Sequence, residues 1–232
     1  MLLFSMINKS KLRIKTISLL KFFAGIDFVQ FLLCKKYINF YKKQDTIFIH
    51  IPKAAGTSIS NELYGKRNGH LRALFVKNKL GDEFTNKYSF SVSRNPYDRL
   101  YSAYRFAIQG ETKDGAIANS SFYQQDMFAS FESFVNNWLV YQNLDNLDPV
   151  FQPQYLYVFN EEFELIIDDL FKLEDLNNVE EVLSNKLNKS IKFKKSNVSQ
   201  KQSNRKEVYT KSLKEKVFKL YKNDFHLLGY EK

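Results

Sequence analysis

Cysteine, tryptophan, proline and glycine are all scarce in this chain: among 232 residues there are one Cys, one Trp, four Pro and eight Gly. With Cys34 as the lone thiol no intrachain disulfide can form, which fits a reducing compartment, and its expected place is that of a small buried apolar residue. Three histidines and one cysteine fall in no metal-ligand spacing, so no metal is expected. Few Gly and Pro argue against a collagenous or low-complexity chain, and no internal repeat is visible. Uninterrupted apolar runs of ~20 residues are also missing; the nearest, Ile17–Leu33, is broken by Lys21, Asp27 and Gln30. Met1–Met6 is apolar, but Lys9, Lys11, Arg13 and Lys15 follow it, the reverse of a signal peptide. Residues 1–44 therefore read as a basic helical segment with two open readings. It is either an amphipathic basic helix, in peripheral contact with a membrane or packed on the catalytic domain, or a plain helix before the first strand.

What is abundant is aromatic and basic. There are 22 Phe and 14 Tyr, so an aromatic-rich core is expected, and residues 45–232 are long enough for a single domain with a sizeable core. The formal charge is +10 and the pI about 9.4. Such a balance suits an anionic cofactor, an anionic glycan, nucleic acid or a membrane surface. No nucleic-acid-binding motif is present, and nucleic acid is not an expected partner.

Two segments carry the chemistry. In the first, the apolar run Ile47-Phe48-Ile49-His50-Ile51 reads as a buried strand, Pro52-Lys53-Ala54-Ala55-Gly56 as a tight loop, and Thr57-Ser58 as the start of a helix. Backbone N–H groups of such a loop cradle a phosphate, and the helix N-terminus adds partial positive charge. Lys53 supplies a full charge, and Thr57 and Ser58 supply hydroxyl donors. The loop is not a Walker A loop, because its lysine precedes the glycine and Thr57 follows Gly56 directly. In the second segment, Tyr88–Ser93 reads as a strand running into Arg94-Asn95-Pro96-Tyr97-Asp98-Arg99. Arg94 at the strand end and Ser102 two turns into the following helix can grip a second phosphate, the arginine as a bidentate fork.

Together the two segments resemble the carbohydrate sulfotransferases that use 3'-phosphoadenosine 5'-phosphosulfate (PAPS), the heparan- and chondroitin-sulfotransferase-like family 2. There a His-Ile-Pro-Lys-x-Ala-Gly-Thr-Ser segment binds the 5'-phosphosulfate, and an Arg-Asn-Pro-Tyr-Asp-Arg-Leu-x-Ser segment binds the 3'-phosphate. The resemblance runs from about residue 45 to the C-terminus through Gly69-His70, Pro153-Gln154, Glu174-Asp175-Leu176 and Asn197-Val198-Ser199. It implies PAPS as sulfuryl donor, held by Pro52 to Ser58, Arg94, Ser102, Asn197 and Ser199. A carbohydrate or glycoconjugate acceptor is implied at Phe151, Gln152 and Gln154. Golgi members carry a membrane anchor; none is convincing here, so a cytoplasmic enzyme is expected.

Sulfuryl transfer demands in-line positioning and charge stabilisation at the departing oxygen. Lys53 is expected beside the bridging oxygen of the phosphosulfate, and His70 to act as general base on the acceptor hydroxyl. Similar chains often carry a histidine where this one has Val150, which puts His70, or else Glu62, in the role of base. Two further readings stay open: a nucleotide-dependent kinase, and a catalytically impaired PAPS-binding relic.

Strands alternate with helices, so the expected fold is α/β: a P-loop-like parallel sheet flanked by helices on both faces, with ligand at the carboxyl ends of the strands. Strands are expected at Thr46–Ile51, Tyr88–Val92, Tyr155–Phe159 and Asp169–Leu173. Helices are expected at Thr57–Tyr64 with Thr57 or Ser58 as N-cap, Leu71–Lys79, Tyr97–Ile108, Phe131–Val140, Asp175–Leu187 and Ser212–Asn223. Gln109–Ser121 reads as a loop over the site, and 191–206 as irregular and basic.

Overall fold

The computed structural model describes residues 28–112, 115–117, 119–193 and 208–232. Helix α1 (28–42) leads into strand β1 (Thr46–Ile49) and helix α2 (Gly56–Tyr64). Helices α3 (Ala73–Leu80) and α4 (Asp82–Thr85) then turn the chain back to β2 (Tyr88–Ser93), which feeds α5 (Pro96–Gln109). A short antiparallel pair, β3 (Glu111–Thr112) with β4 (Gly115–Ala116), occupies part of the expected loop. After α6 (Phe131–Asn137) come several 3₁₀ turns, then β5 (Asp169–Lys172), α7 (Leu176–Leu187), α8 (Lys211–Leu220) and α9 (Lys222–Leu227).

The sheet has three strands, all parallel, in the order β1-β2-β5. Period-two alternation sorts its faces. Ile47 and Ile49 pack with Cys34 and Tyr41 of α1 and Val76 of α3. On the other face Phe48, Phe90 and Val92 pack with Ile59 of α2 and Val179 and Leu183 of α7. Opposite Ile47 and Ile49 in register stand Ser89 and Ser91. These buried serines have partners, as buried hydroxyls require: Ser89 Oγ donates to Asp168 Oδ2 (2.8 Å) and Ser91 Oγ to the Ile49 carbonyl (2.6 Å). A third cluster, rich in aromatic rings, gathers Tyr104 of α5, Phe131 and Phe134 of α6, Trp138, Phe151, and Tyr221 and Phe225 near the C-terminus.

Three expectations change. Tyr155–Phe159 is not a strand: Tyr155–Tyr157 make a 3₁₀ turn, and only Phe159 pairs, in an isolated bridge with Leu165. Helix α2 is capped neither by Thr57 nor by Ser58; its N-cap is Ala55, left-handed at φ 59°, with no side-chain bond. The C-terminal helix is two, broken at Tyr221. Of the N-terminal segment, the described part packs on the domain, with Val29, Cys34 and Tyr41 buried. No described helix is long and apolar enough to cross a membrane.

Candidate active site

Because the strands are parallel, the loop after β1, the segment after β2 and the residues after β5 all leave the same edge of the sheet. The first of these is a strained turn. Lys53 and Ala55 both have positive φ, 68° and 59°, a conformation uncommon outside glycine. Strain of this kind persists where surrounding structure over-determines it. It ends with the N–H groups of Gly56 and Thr57 opening α2 without an acceptor among the described residues. These are the orphan donors that anions occupy at helix starts.

His50 is the floor of this turn. The residue is 3% exposed, and its ring lies so close to Gly56 that a Cβ there would come within 1.8 Å of its Cδ2. His50 Nδ1 donates to Asn68 Oδ1 (3.2 Å), which Ser60 Oγ also approaches (2.6 Å). Asn68 Nδ2 in turn donates to the Phe48 carbonyl (2.7 Å). Burial first, then the neighbouring His70, holds His50 neutral, with its pKa well below the ordinary histidine value.

His70 is partly exposed and sits against His50, with ring centroids 4.2 Å apart. Its Nδ1 donates to the His50 carbonyl (3.1 Å). That bond fixes the proton on Nδ1 and leaves Nε2 as the basic nitrogen. Desolvation lowers its pKa to about 4; the bond to His50 opposes the shift, and Arg67 and Lys53 deepen it.

Arg94 meets the same turn from β2. The residue is 8% exposed, and its Nη1 donates to the Lys53 carbonyl (3.2 Å). Lys53 Nζ stands 4.5 Å from the centroid of the Phe106 ring on α5. Ser102 lies one helical turn before Phe106, hence on the same face of α5. Lys53, Arg94 and the face of α5 that carries Ser102 therefore meet at this turn, with His70 joined to it through His50, and the positive charge of Lys53 and Arg94 with the unpaired N–H groups of Gly56 and Thr57 fits a phosphate-bearing ligand.

The three residues expected at the acceptor do something else. Phe151, Gln152 and Gln154 are each 0% exposed. Gln154 brackets the backbone of Arg94: its Oε1 accepts the Arg94 N–H (3.0 Å) and its Nε2 donates to the Arg94 carbonyl (2.8 Å). Gln152 Nε2 donates to the carbonyls of Asp145 and Leu147, both at 3.0 Å, and Phe151 fills the aromatic cluster. They hold the site from behind and do not line it. Asn197 and Ser199 lie outside the described residues.

Three positioning groups had no role assigned from sequence. Arg99 is 1% exposed; its guanidinium donates to the carbonyls of Val150 (3.1 Å), Gln152 (2.6 Å) and Pro52 (3.5 Å). It thus ties the lysine turn to the chain before Gln154. Asp224, wholly buried, accepts the N–H groups of Gln154 and Tyr155, each at 2.9 Å. Glu174, just past β5, accepts the Asn95 N–H (2.7 Å) and the Tyr230 hydroxyl (2.9 Å). Helix α5 is capped by Asn95, whose Oδ1 accepts the Tyr97 N–H (3.0 Å).

Residues 36–231 match the model of a sulfotransferase family. The chain belongs to that family. Searches of curated proteins and of solved structures gave no match. Membership supports sulfotransferase activity, with a sulfuryl donor and an acceptor as its substrates, and the match takes in both motif segments, His70 and the buried residues behind them. Among the described residues of this sulfotransferase, no group of three or more His, Cys, Asp or Glu is placed to hold a metal ion.

Proposed function

We propose that this sulfotransferase takes its sulfuryl group from PAPS and delivers it to a hydroxyl of a carbohydrate or glycoconjugate. The observation that carries the reading is the bond from Arg94 Nη1 to the Lys53 carbonyl. It supports a single adenylate spanning both motifs: 5'-phosphosulfate over a P-loop-like turn at Pro52–Ser58, 3'-phosphate at Arg94 and Ser102.

The donor brings an activated sulfuryl group, and the protein's part is positioning and charge. The N–H groups of Gly56 and Thr57 orient the phosphate side. The Lys53 ammonium balances the negative charge that builds on the departing oxygen. His70 Nε2, neutral and held by its Nδ1 bond, takes the acceptor's proton.

Binding is tested first. Adenosine 3',5'-bisphosphate is expected to raise the melting temperature well above the shift given by ATP with magnesium; an equal or larger shift with ATP overturns the donor assignment. Lys53→Ala is expected to lower turnover by roughly 100- to 1000-fold, the loss of about 3–4 kcal/mol of transition-state stabilisation. Its melting temperature should stay close to that of the parent. Arg94→Ala is expected to weaken the 3'-phosphorylated nucleotide more than its 3'-dephosphorylated form, read by calorimetric titration of both.

A further inference from the structure

With Phe151, Gln152 and Gln154 buried, the acceptor has to be met elsewhere. A cavity of 380 Å³ is lined by two segments, one carrying Arg72 and Phe75 and the other Tyr155, Asn160, Glu161 and Phe163. That size is in the range of small-ligand sites. Each segment is tied to a residue of the site or of its support. The Arg72 N–H and the His70 carbonyl are bridged by one side chain, the amide of buried Gln30 (3.1 and 3.3 Å). The Tyr155 N–H shares Asp224 with Gln154, which brackets Arg94.

The second segment displays a ring. Phe163 is 50% exposed and left-handed at φ 61°, an unfavourable backbone for a bulky residue. The turn around it is braced: Asn160 Oδ1 accepts the Glu164 N–H (2.7 Å), Asn160 Nδ2 donates to Glu164 Oε2 (2.9 Å), and Phe159 bridges Leu165. The Phe163 ring stands 5.9 Å from that of half-buried Tyr155, inclined at 51°. Two inclined aromatic faces beside hydrogen-bonding side chains suit the C–H face of a pyranose, with its hydroxyls turned to the polar wall. The charge of the lining is balanced, one arginine against one exposed glutamate, in a chain of net charge +10. A polyanionic sugar would call for an excess of cations here.

We infer that this cavity is the acceptor subsite and takes an uncharged pyranose ring stacked on Tyr155 and Phe163. The inference rests on the sulfotransferase reading above and narrows its acceptor to neutral glycans. The test uses the full chain on an array of neutral, uronate-bearing and sulfated oligosaccharides, followed by titration of the best neutral glycan against wild type and Phe163→Gly. Glycine adopts φ 61° without strain, so Phe163→Gly is expected to keep or raise the melting temperature and to bind adenosine 3',5'-bisphosphate as before. Its affinity for the neutral glycan is expected to fall about tenfold. The subsite is overturned if acidic glycans bind more tightly than every neutral one, if no glycan binds, or if Phe163→Gly binds the neutral glycan unchanged. Should wild type ignore the bisphosphate while glycan binding still depends on Phe163, the donor assignment fails and the sugar site stands.

Discussion

Gly56 and His50 behave as a single unit: the ring occupies the volume that any side chain at position 56 would need. Gly56→Ala is therefore expected to cost about 1–3 kcal/mol by overpacking, measured by urea denaturation, and to weaken nucleotide binding because the first N–H groups of α2 move with the displaced turn. His70 gives a second prediction at this scale. With its pKa lowered to about 4, the imidazole is neutral throughout the neutral range. The acid limb of kcat/KM should then fall near pH 4; a limb near 6.5 would assign the base elsewhere. The linkage has a definite sign: His50 and His70 both bind protons less readily when folded. Stability is therefore at its full value above the ordinary histidine pKa and declines as pH drops from there towards 4. Lys53, Gly56 and Arg94 stood out in the sequence as the residue types a phosphate-bearing ligand would call for at those spacings, and His70 through the family resemblance; the structure joins Arg94 to the Lys53 turn and sets His70 against His50. Gln152 and Gln154 could not be placed correctly: a glutamine reads as surface, and nothing in the residue order shows that its amide will be consumed by buried backbone carbonyls.

Most elements were legible, because alternation and helical spacing mark what they bury. Strand β2 is the clear case, with Phe90 and Val92 on one side and Ser89, Ser91 and Ser93 on the other. The failures are local and physical. The run Tyr155-Leu156-Tyr157-Val158-Phe159 has strand-like residues, yet Tyr157 and Val158 satisfy their hydrophobicity by packing in a tight turn beside Asp224. The N-cap of α2 was misplaced because two non-glycine residues take left-handed backbone there, against their local preference. What joins the elements around the site is Arg99, on α5. Its three carbonyl partners lie on two other segments, and a lysine cannot reach all of them with one ammonium. Arg99→Lys is expected to destabilise the protein by about 1–3 kcal/mol through unsatisfied carbonyls, seen as a lower denaturation midpoint. It should also raise the KM for the donor more than it lowers kcat, since the Pro52 turn loosens while Lys53 is retained.

Across the whole molecule, two apolar clusters cover the sheet and a third, aromatic one joins α5 and α6 to the C-terminal helices. The abundance of Phe and Tyr announced that third cluster; the sequence had no means of showing that it would sit behind Arg94 and Arg99. Helix α1 is also tied into this frame: Asn68 Nδ2 donates to the Tyr41 hydroxyl (3.3 Å) and Gln30 Nε2 to the His70 carbonyl. Cys34, 0% exposed on that helix, donates its thiol to the Phe75 carbonyl (3.2 Å). Burial pushes its pKa up to about 11.

The single sulfhydryl thus becomes a built-in clock. A maleimide or disulfide reagent can modify it only when α1 lifts from α3, so the alkylation rate counts those openings. If α1 opens only with the rest of the domain, adenosine 3',5'-bisphosphate at 100 times its Kd should slow the reaction about 100-fold. A rate indifferent to the nucleotide would mean that this helix peels away alone, leaving the catalytic edge of the sheet intact.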